Sequence, residues 1–534
     1  MLKITSLGDF DSPPLNDEAT VGLIASKPLF CDKNRLHEET QPFAMYTRDY
    51  PDVNITTEML ATRESSRTIG ASDLFLPVED SAFKKIASIW RDKGFLEACR
   101  AAAVEDPQQI SKIVHWLATR VTWMLDLVER RTSLYEALPL LGSGSVADIA
   151  ATRDWTTALV RCLAWHPHCT RLAVATRDDR IRIFSKGIQS VAVLRHSGQK
   201  SVCAMNWRPN AGRELAAACH GGVLVWTIEL GAASNSLSHA TFLKHRNHAP
   251  VTSVAWHPQG DILVSCSPSD LNMIVWDVAK EIGVPLKRVG GGGLCFARWS
   301  PCGMKLLAAT CRTVFRVWNI GIGGPWDADR WTVPNGRVAA ACFGPNQMLL
   351  FVSTEDPATV FSLPLQENIF DVKKTASIDG AKMAYPVIDL NRVTFDTNLL
   401  INEDVTVGGR VTSMDWDPSG KYLAILFQDC PYVAIFMTNI EPNSRLTEIK
   451  PGCLVKGFQH EVPNCMQFHQ NYDSKLAATC LTIAWSSGRV QQFPIVGKGE
   501  IPSDYSRSLG TIASPFARRN DLHNTSVSNY RSYR

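Results

Sequence analysis

No apolar run in these 534 residues approaches the ~20 that a membrane span requires, so the sequence offers no transmembrane helix. Charge of one sign is also missing. Lys and Arg number 55 against 52 Asp and Glu, a formal net charge of +3, which argues against a dominant electrostatic mode of nucleic-acid binding. Cysteine is plentiful, at fifteen, yet no Cys-x-x-Cys pair occurs, and Cys295, Cys302 and Cys311 lack zinc-ligand spacing. Met1-Leu-Lys-Ile-Thr-Ser6 carries no secretory signal pattern, and the expectation is buried thiols in a reducing compartment. Phosphate-loop chemistry is absent too. Gly142-Ser-Gly144 and Gly290-Gly-Gly-Gly293 lack the Lys-Ser/Thr of a P-loop, and the four glycines precede a strand, so they read as a turn. His166 and His168 flank a proline with no third ligand nearby, and neither a metal nor a cofactor is expected.

What the chain does have is repetition. Val251-Thr-Ser-Val-Ala-Trp256 is an apolar, β-branched run, and His257-Pro-Gln-Gly260 offers Pro and Gly where a type I turn wants them. Asp261–Ser267 and Met273–Val278 supply two more short runs, the last closing on Trp276-Asp277. Related aromatic-turn units recur, giving seven anchors at Trp165, Trp207, Trp256, Trp299, Phe343, Trp416 and Phe468. A second aromatic follows each, at Phe184, Trp226, Trp276, Trp318, Phe361, Phe436 and Phe493. Spacing between anchors ranges from 42 to 73 residues, whereas six of the seven internal offsets fall between 18 and 20. A constant offset within the unit and variation outside it mean a fixed structural element joined by variable loops.

A period in the low forties with three or four short strands per unit is the signature of WD40-type blades. One twisted sheet cannot bury both its faces, and stacking blades around an axis covers them. The fold expected is therefore all-β, a seven-bladed WD40-type β-propeller over residues 150–497, with a small N-terminal helical segment. In many such blades an Asp, His, Ser/Thr and Trp form a buried polar network. Blade three comes closest, with His248, Ser265 or Ser267, Asp270 and Trp276. Blade one has Thr176 and Asp178-Asp179 but Phe184, blade two has His196 and Trp226 without the acid, and blade four has Trp318 alone. The role expected of these residues is structural, because a buried acid and imidazole must satisfy each other.

Outside the ring, residues 1–78 read as a largely irregular arm with Pro13-Pro14 and one apolar patch, Thr20–Ala25. A propeller is usually closed by a strand from one end pairing with the other. Either Thr20–Ala25 or the stretch Tyr505–Leu509 can complete the seventh blade. Residues 79–135 carry helical periodicity, including Phe83, Ile86, Ile89 and Trp90, then Ile110, Ile113, Val114, Leu117, Val121, Leu125 and Val128 after a start at Asp106-Pro107. That face either packs on the propeller's rim, the favoured reading, or docks a partner. Two stretches read as surface insertions, one between Phe361 and Trp416 carrying Glu367, Asp371, Lys373, Lys374, Asp379 and Glu403, the other from Asn439 to Gly457. Residues 498–534 read as a disordered basic tail with Arg507, Arg518, Arg519, Arg531 and Arg534.

Several of these motifs together resemble the aladin family of WD-repeat nucleoporins. They are Cys162-Leu-Ala-Trp-His-Pro-His168, Val251–Trp256 with Ser265-Cys-Ser-Pro-Ser-Asp270, and Gly291-Gly-Gly-Leu-Cys-Phe-Ala-Arg-Trp-Ser-Pro301 followed by Thr313-Val-Phe-Arg-Val-Trp318. Ile89-Trp-Arg-Asp-Lys-Gly94 and Ile483-Ala-Trp-Ser-Ser-Gly-Arg489 extend the likeness over roughly 80–495. The resemblance implies a non-enzymatic scaffold of the nuclear pore complex, held at the nuclear envelope through a transmembrane nucleoporin, alongside other pore subunits. It also implies a role in protein transport into the nucleus and in the mitotic spindle. Membrane association would be indirect, with no direct nucleic-acid contact. The alternative is a substrate-recognition propeller of a ubiquitin ligase or chromatin complex. An enzyme would need convergent acids or histidines at the central channel, and no repeat carries a recurring catalytic group.

Overall fold

The computed structural model describes residues 4–13, 18–32, 44–61, 86–87, 90, 95–104, 112–131, 146–186, 191–228, 239–286, 292–320, 326–365, 384–396, 404–440, 446–470 and 478–497. Seven antiparallel sheets form the blades of a β-propeller. Blade one runs from Val160–Trp165 to Ala192–Leu194, blade two from Ala204–Trp207 to His239–Leu243, and blade four from Leu294–Trp299 to Asp327–Thr332. Blade three is Ser253–Trp256, Leu263–Cys266, Met273–Asp277 and Ile282–Leu286. Blade five spans Val338–Phe343 to Tyr385–Asp389, and blade six Val411–Trp416 to Leu446–Lys456. Blade seven takes three strands from the end of the ring, Pro463–Phe468, Ala478–Trp485 and Arg489–Val496. The turn read at His257-Pro-Gln-Gly260 closes with a 2.7 Å bond from the Gly260 N–H to His257 O, and Gly260 takes a φ of +76° that a side chain would resist.

Cross-strand register explains the constant offset. In blade three Trp256 lies opposite Leu263, and Leu263 opposite Trp276. The same aromatic–Leu–aromatic file recurs as Trp165–Leu172–Phe184, Trp207–Leu215–Trp226, Trp299–Leu306–Trp318, Trp416–Leu423–Phe436 and Phe468–Leu481–Phe493. Blade five departs from the sequence reading. Phe343 faces Leu349, and Leu349 faces Leu363, while Phe361 pairs with Phe351 two places away. The leucine of each file, at 172, 215, 263, 306, 349, 423 and 481, is 0% exposed. It packs against the preceding blade, so a compact apolar side chain contributes about 1.5–3 kcal/mol there. The long offset in blade seven reflects extra residues between its first two strands, with the register conserved.

The described parts of the N-terminal arm, 4–13, 18–32 and 44–61, hold more regular structure than its composition suggests. Glu18–Ile24 forms the outer strand of blade seven, parallel to Arg489–Val496, with Leu23 opposite Ile495 and Ile24 opposite Val496. Lys27–Asp32 pairs with it in turn, and Val53–Asn54 covers the remaining edge at Arg489 and Val490. Thr5–Ser6 extends the outer strand of blade five, while Leu7 and Phe10 are buried between blades five and six. The apolar run that follows finds a sheet edge. The other candidate for that edge, Tyr505–Leu509, lies outside the described residues, as does the rest of 498–534.

The stretch from Asn439 to Gly457 is also no insertion loop. Leu446–Lys456 is the outer strand of blade six, paired along Tyr432–Ile440. Of the other stretch, Tyr385–Asp389 is the outer strand of blade five and Val393–Asp396 forms a hairpin with Asp404–Val407. Glu367, Asp371, Lys373, Lys374, Asp379 and Glu403 lie outside the described residues.

Candidate functional site

The four residues singled out in blade three come together. Trp276 Nε1–H donates to Ser265 Oγ at 2.8 Å, His248 Nε2 lies 2.8 Å from the same oxygen, and His248 Nδ1 lies 2.8 Å from Asp270 Oδ2. All four are buried. The donors line up in one direction, from indole to hydroxyl, hydroxyl to imidazole and imidazole to carboxylate, so each buried polar atom has its partner. Burial alone pushes the Asp270 carboxyl up, and hydrogen bonds from His248 and the Asn272 amide outweigh it, holding the acid below its ordinary value. Ser267, the other serine considered, is outside this chain and accepts the Ser269 amide instead.

Other blades build different networks at the same place. In blade two the partner of Trp226 Nε1 is Gln199 Oε1, at 3.0 Å, rather than His196, whose ring centroid is 6.5 Å from that of Trp226. In blade one Arg182 grips Asp178 with bonds of 3.0 and 3.2 Å, and Thr176 joins them. His166 and His168 are engaged separately. His166 Nδ1 accepts the His168 amide, and His168 Nε2 meets Asn210 Oδ1 at 3.1 Å.

A second set of contacts, absent from the sequence reading, joins blade to blade. Three anchor indoles, those of Trp165, Trp207 and Trp299, reach back to the preceding blade, and three residues placed one before an anchor, Asn206, Asp415 and Gln467, reach forward to the next. Trp207 Nε1 donates to Ala164 O at 2.9 Å and Trp299 Nε1 to Ala255 O at 3.2 Å, both in the preceding blade. Forward, Asn206 Oδ1 accepts the Trp256 amide at 2.8 Å, and Asp415 Oδ2 accepts the Phe468 amide at 2.7 Å. The seam between blades seven and one obeys the same rule, with Gln467 Oε1 accepting the Trp165 amide at 3.1 Å and Trp165 Nε1 donating to Thr482 Oγ1 at 2.8 Å. The signal was there to be read at three anchors, as an Asn, Asp or Gln one position before the aromatic residue. Asp415 is the acid of this set. Burial raises its pKa to about 6, against the opposing pull of the Phe468 amide and the Arg298 charge.

One face of the ring's axis is filled by the chain itself. In the segment from Val146 to Ala158, Val146 and Trp155 are buried between blades two and three, and Ile149 joins the cluster of blades four and five. Asp148 O accepts Arg337 of blade five, Arg153 Nη1 donates to Cys430 O of blade six, and the Arg153 amide donates to Asn464 O of blade seven. Arg161 of blade one stacks over the Trp155 ring at 4.1 Å. So short a stretch reaches all seven blades only by lying across the axis.

The helical segment presents the surface best suited to a partner. Phe95–Val104 and Lys112–Arg131 form a hairpin whose described interior is small, with Ala98, Cys99, Ala102 and Ala118 buried. The large side chains point out: Trp116 is 59% exposed, Leu117 51%, Trp123 56% and Met124 60%. The favoured expectation, that this face packs on the rim, therefore does not hold for Val114 and Leu117, both exposed. The start at Asp106-Pro107 and the side chains of Ile113, Leu125 and Val128 lie outside the described residues. Among the described residues no helix is long and apolar enough to cross a membrane, and no group of three or more His, Cys, Asp or Glu side chains is placed to hold a metal ion.

The model of the aladin seven-bladed propeller family matches residues 141–496. Aladin of Arabidopsis thaliana is 24% identical over 371 residues, 64% of this chain and 76% of its own length. The WD repeat and HMG-box DNA-binding protein 1 of Mus musculus is 28% identical over 153 residues, 27% of this chain and 13% of that one. Of solved structures, the Cps50 (Swd1) β-propeller domain of Myceliophteria thermophila superposes with a TM-score of 0.42 at 15% identity, covering 63% of this chain and 96% of its own. With matched motifs, blades and ring coinciding over the same residues, this chain belongs to the aladin seven-bladed propeller family.

Proposed function

We propose that this protein is a non-enzymatic scaffold subunit of the nuclear pore complex, held at the nuclear envelope through a transmembrane nucleoporin and supporting nucleocytoplasmic transport of proteins. Membership of the aladin family is the observation that carries the reading, and it gives a WD-repeat, nucleoporin-type scaffold role. The envelope anchor, the transport role and a part in spindle assembly are the steps beyond it. The outward face of the helical hairpin supports the anchor. Trp116, Leu117, Trp123 and Met124 form an apolar surface of the kind that marks a protein contact, and Arg120 beside Trp116 adds a cation to it. The networks described above are all structural in kind, joining strand to strand and blade to blade.

The test is imaging of a fluorescent fusion of the full chain, alone and with Trp116→Glu and Trp123→Glu together. A punctate nuclear rim that the double substitution disperses, with the melting temperature unchanged, supports both the envelope assignment and the hairpin as its anchor. Diffuse cytoplasm for the parent, or chromatin with ubiquitin-ligase subunits recovered, overturns the reading in favour of a recognition propeller elsewhere.

A further inference from the structure

None of the fifteen cysteines is in a disulfide, and most are sealed among apolar side chains. Burial pushes the thiols of Cys203, Cys453, Cys465 and Cys480 up to about 12, leaving almost no thiolate at neutral pH. Two cysteines stand in another relation. Cys295 Sγ and Cys311 Sγ are 3.3 Å apart, although sequence spacing gave no reason to pair them. Cys295 lies at a bulge near the start of the inner strand of blade four, where the register against the second strand slips between Leu294 and Phe296. Cys311 is the first residue beyond that second strand, and its amide donates to Gly293 O at 2.9 Å, which fixes the two backbones side by side. Cys295 is fully buried, whereas Cys311 is reached by solvent.

We infer that Cys295 and Cys311 form an oxidation site at which a peroxide-class oxidant converts two thiols into an intrachain disulfide. Closing the sulfurs from 3.3 Å to a bond of ~2.05 Å takes about 1.2 Å, within reach of side-chain rotation. Cys311 is attacked first because it is the accessible one. Its thiolate displaces hydroxide from the peroxide, so an S–O bond forms as the O–O bond breaks, leaving a sulfenic acid and water. The Cys295 sulfur then attacks Cys311 Sγ, the S–S bond forms, the S–O bond breaks and a second water leaves. In sum two thiols and one peroxide give one disulfide and two waters, with two electrons passing from sulfur to oxygen. The bridge ties the inner strand of blade four to the turn after its second strand, beside Ile149 of the axis segment, which shares a buried cluster with Cys295. Cys302 is an internal control. It is exposed, but its neighbours at 3.3 and 3.5 Å are Ser300 Oγ and Gln347 Nε2, so its oxidation has no second sulfur to resolve it.

The experiment treats the full chain with graded hydrogen peroxide, blocks remaining thiols by alkylation and maps peptides by mass spectrometry without reduction. A dithiothreitol-sensitive peptide joining Cys295 to Cys311, at least tenfold more abundant than any other cysteine pair, is the expected result. Cys311→Ser should abolish it, and Cys302→Ser should leave its yield unchanged. Recovery of Cys311 as sulfinic acid with Cys295 still alkylated overturns the inference, as does a bridge formed equally between other pairs. Both outcomes are read on the unsubstituted protein, so a variant that fails to fold leaves the test intact.

Discussion

Blades three and seven carry the same aromatic–Leu–aromatic file, but only blade seven draws part of its support from the other end of the chain. Blade three is one continuous stretch of chain, and its polar chain His248, Asp270, Ser265 and Trp276 ties the approach to the first strand, the second strand and the third strand together from within. Blade seven shows no such tetrad among its described residues. It has local bonds, from Trp485 Nε1 to Gln491 Oε1 and from Arg489 to Glu461 at 2.6 Å, and its third strand is held in addition from outside, by the parallel strand Glu18–Ile24 and by Gln491 Nε2 donating to Thr20 O at 2.8 Å. A blade in mid-ring can be locked by local residues. The blade at the seam depends on residues from the far end of the chain.

Removing residues 1–32 should therefore have the largest effect. It strips Ala19, Val21, Leu23 and Ile24 from the buried face and uncovers the edge of the third strand at Ile495 and Val496, leaving only Val53–Asn54 paired at Arg489 and Val490. At about 1.5–3 kcal/mol per buried side chain the loss is on the order of 5–10 kcal/mol, comparable to the whole stability of an ordinary domain. Circular dichroism should show no cooperative melt and sedimentation should show aggregates. A truncated chain melting within two or three degrees of the parent would break the comparison, because blade seven would then be self-sufficient.

Trp276→Ala comes next, at roughly 3–5 kcal/mol, since it removes a buried ring and leaves Ser265 without its donor. Denaturant midpoints measure it. An unchanged midpoint would mean that neither the buried ring nor its bond to Ser265 holds blade three together.

The smallest effect sharpens the comparison at a boundary between blades. Asp415→Asn makes the link from blade six to seven resemble the one from two to three, where Asn206 already accepts the next anchor's amide. The folded pKa of Asp415, about 6, lies above its unfolded value near 3.8. Its protonated form thus favours the folded state fully below about pH 4, and that contribution is lost as pH rises through 6. A two-unit shift corresponds to nearly 3 kcal/mol, and solvent access to this half-buried group reduces it to about 1 kcal/mol. The variant should be more stable by about that much at pH 7 and equal to the parent at pH 4. A gap of the same size at both pH values would show that the acid does not titrate in this range.

Features whose cause is local were legible in the sequence, and those whose cause is distant were not. The seven anchors, the turn at His257–Gly260 and the members of the blade three tetrad depend on neighbours a few residues away. Leu363 displaced Phe361 in the file because register, not aromatic character, decides which side chain faces the leucine. Gln199 displaced His196 because its amide both accepts from Trp226 and donates to Leu194 O and Asp179 O, which one imidazole cannot match. Pro451-Gly452 made the outer strand of blade six look like a loop. The pair sits at a bulge, with Ile435 opposite Cys453 and Phe436 opposite Pro451, and a Cβ at Gly452 would lie 2.5 Å from Ile435 O. Thr20–Ala25, most of which falls in the strand Glu18–Ile24, is one of two candidates in the sequence, since nothing in a short apolar run records a partner edge 471 positions away. The outward turn of Trp116 and Trp123 escaped a periodicity argument, which identifies an apolar face but not what the face meets.

That distance has a consequence in time. A ribosome adds about 5–20 residues per second, so the strand Glu18–Ile24 emerges roughly half a minute to a minute and a half before the edge it will pair with exists. Throughout that interval an apolar ribbon with open backbone donors and acceptors is exposed beside six blades that are assembling in order. The protein thus keeps one of its earliest strands in waiting for its last-made blade, and a message truncated before Arg489 yields a chain whose beginning and end are both unfinished.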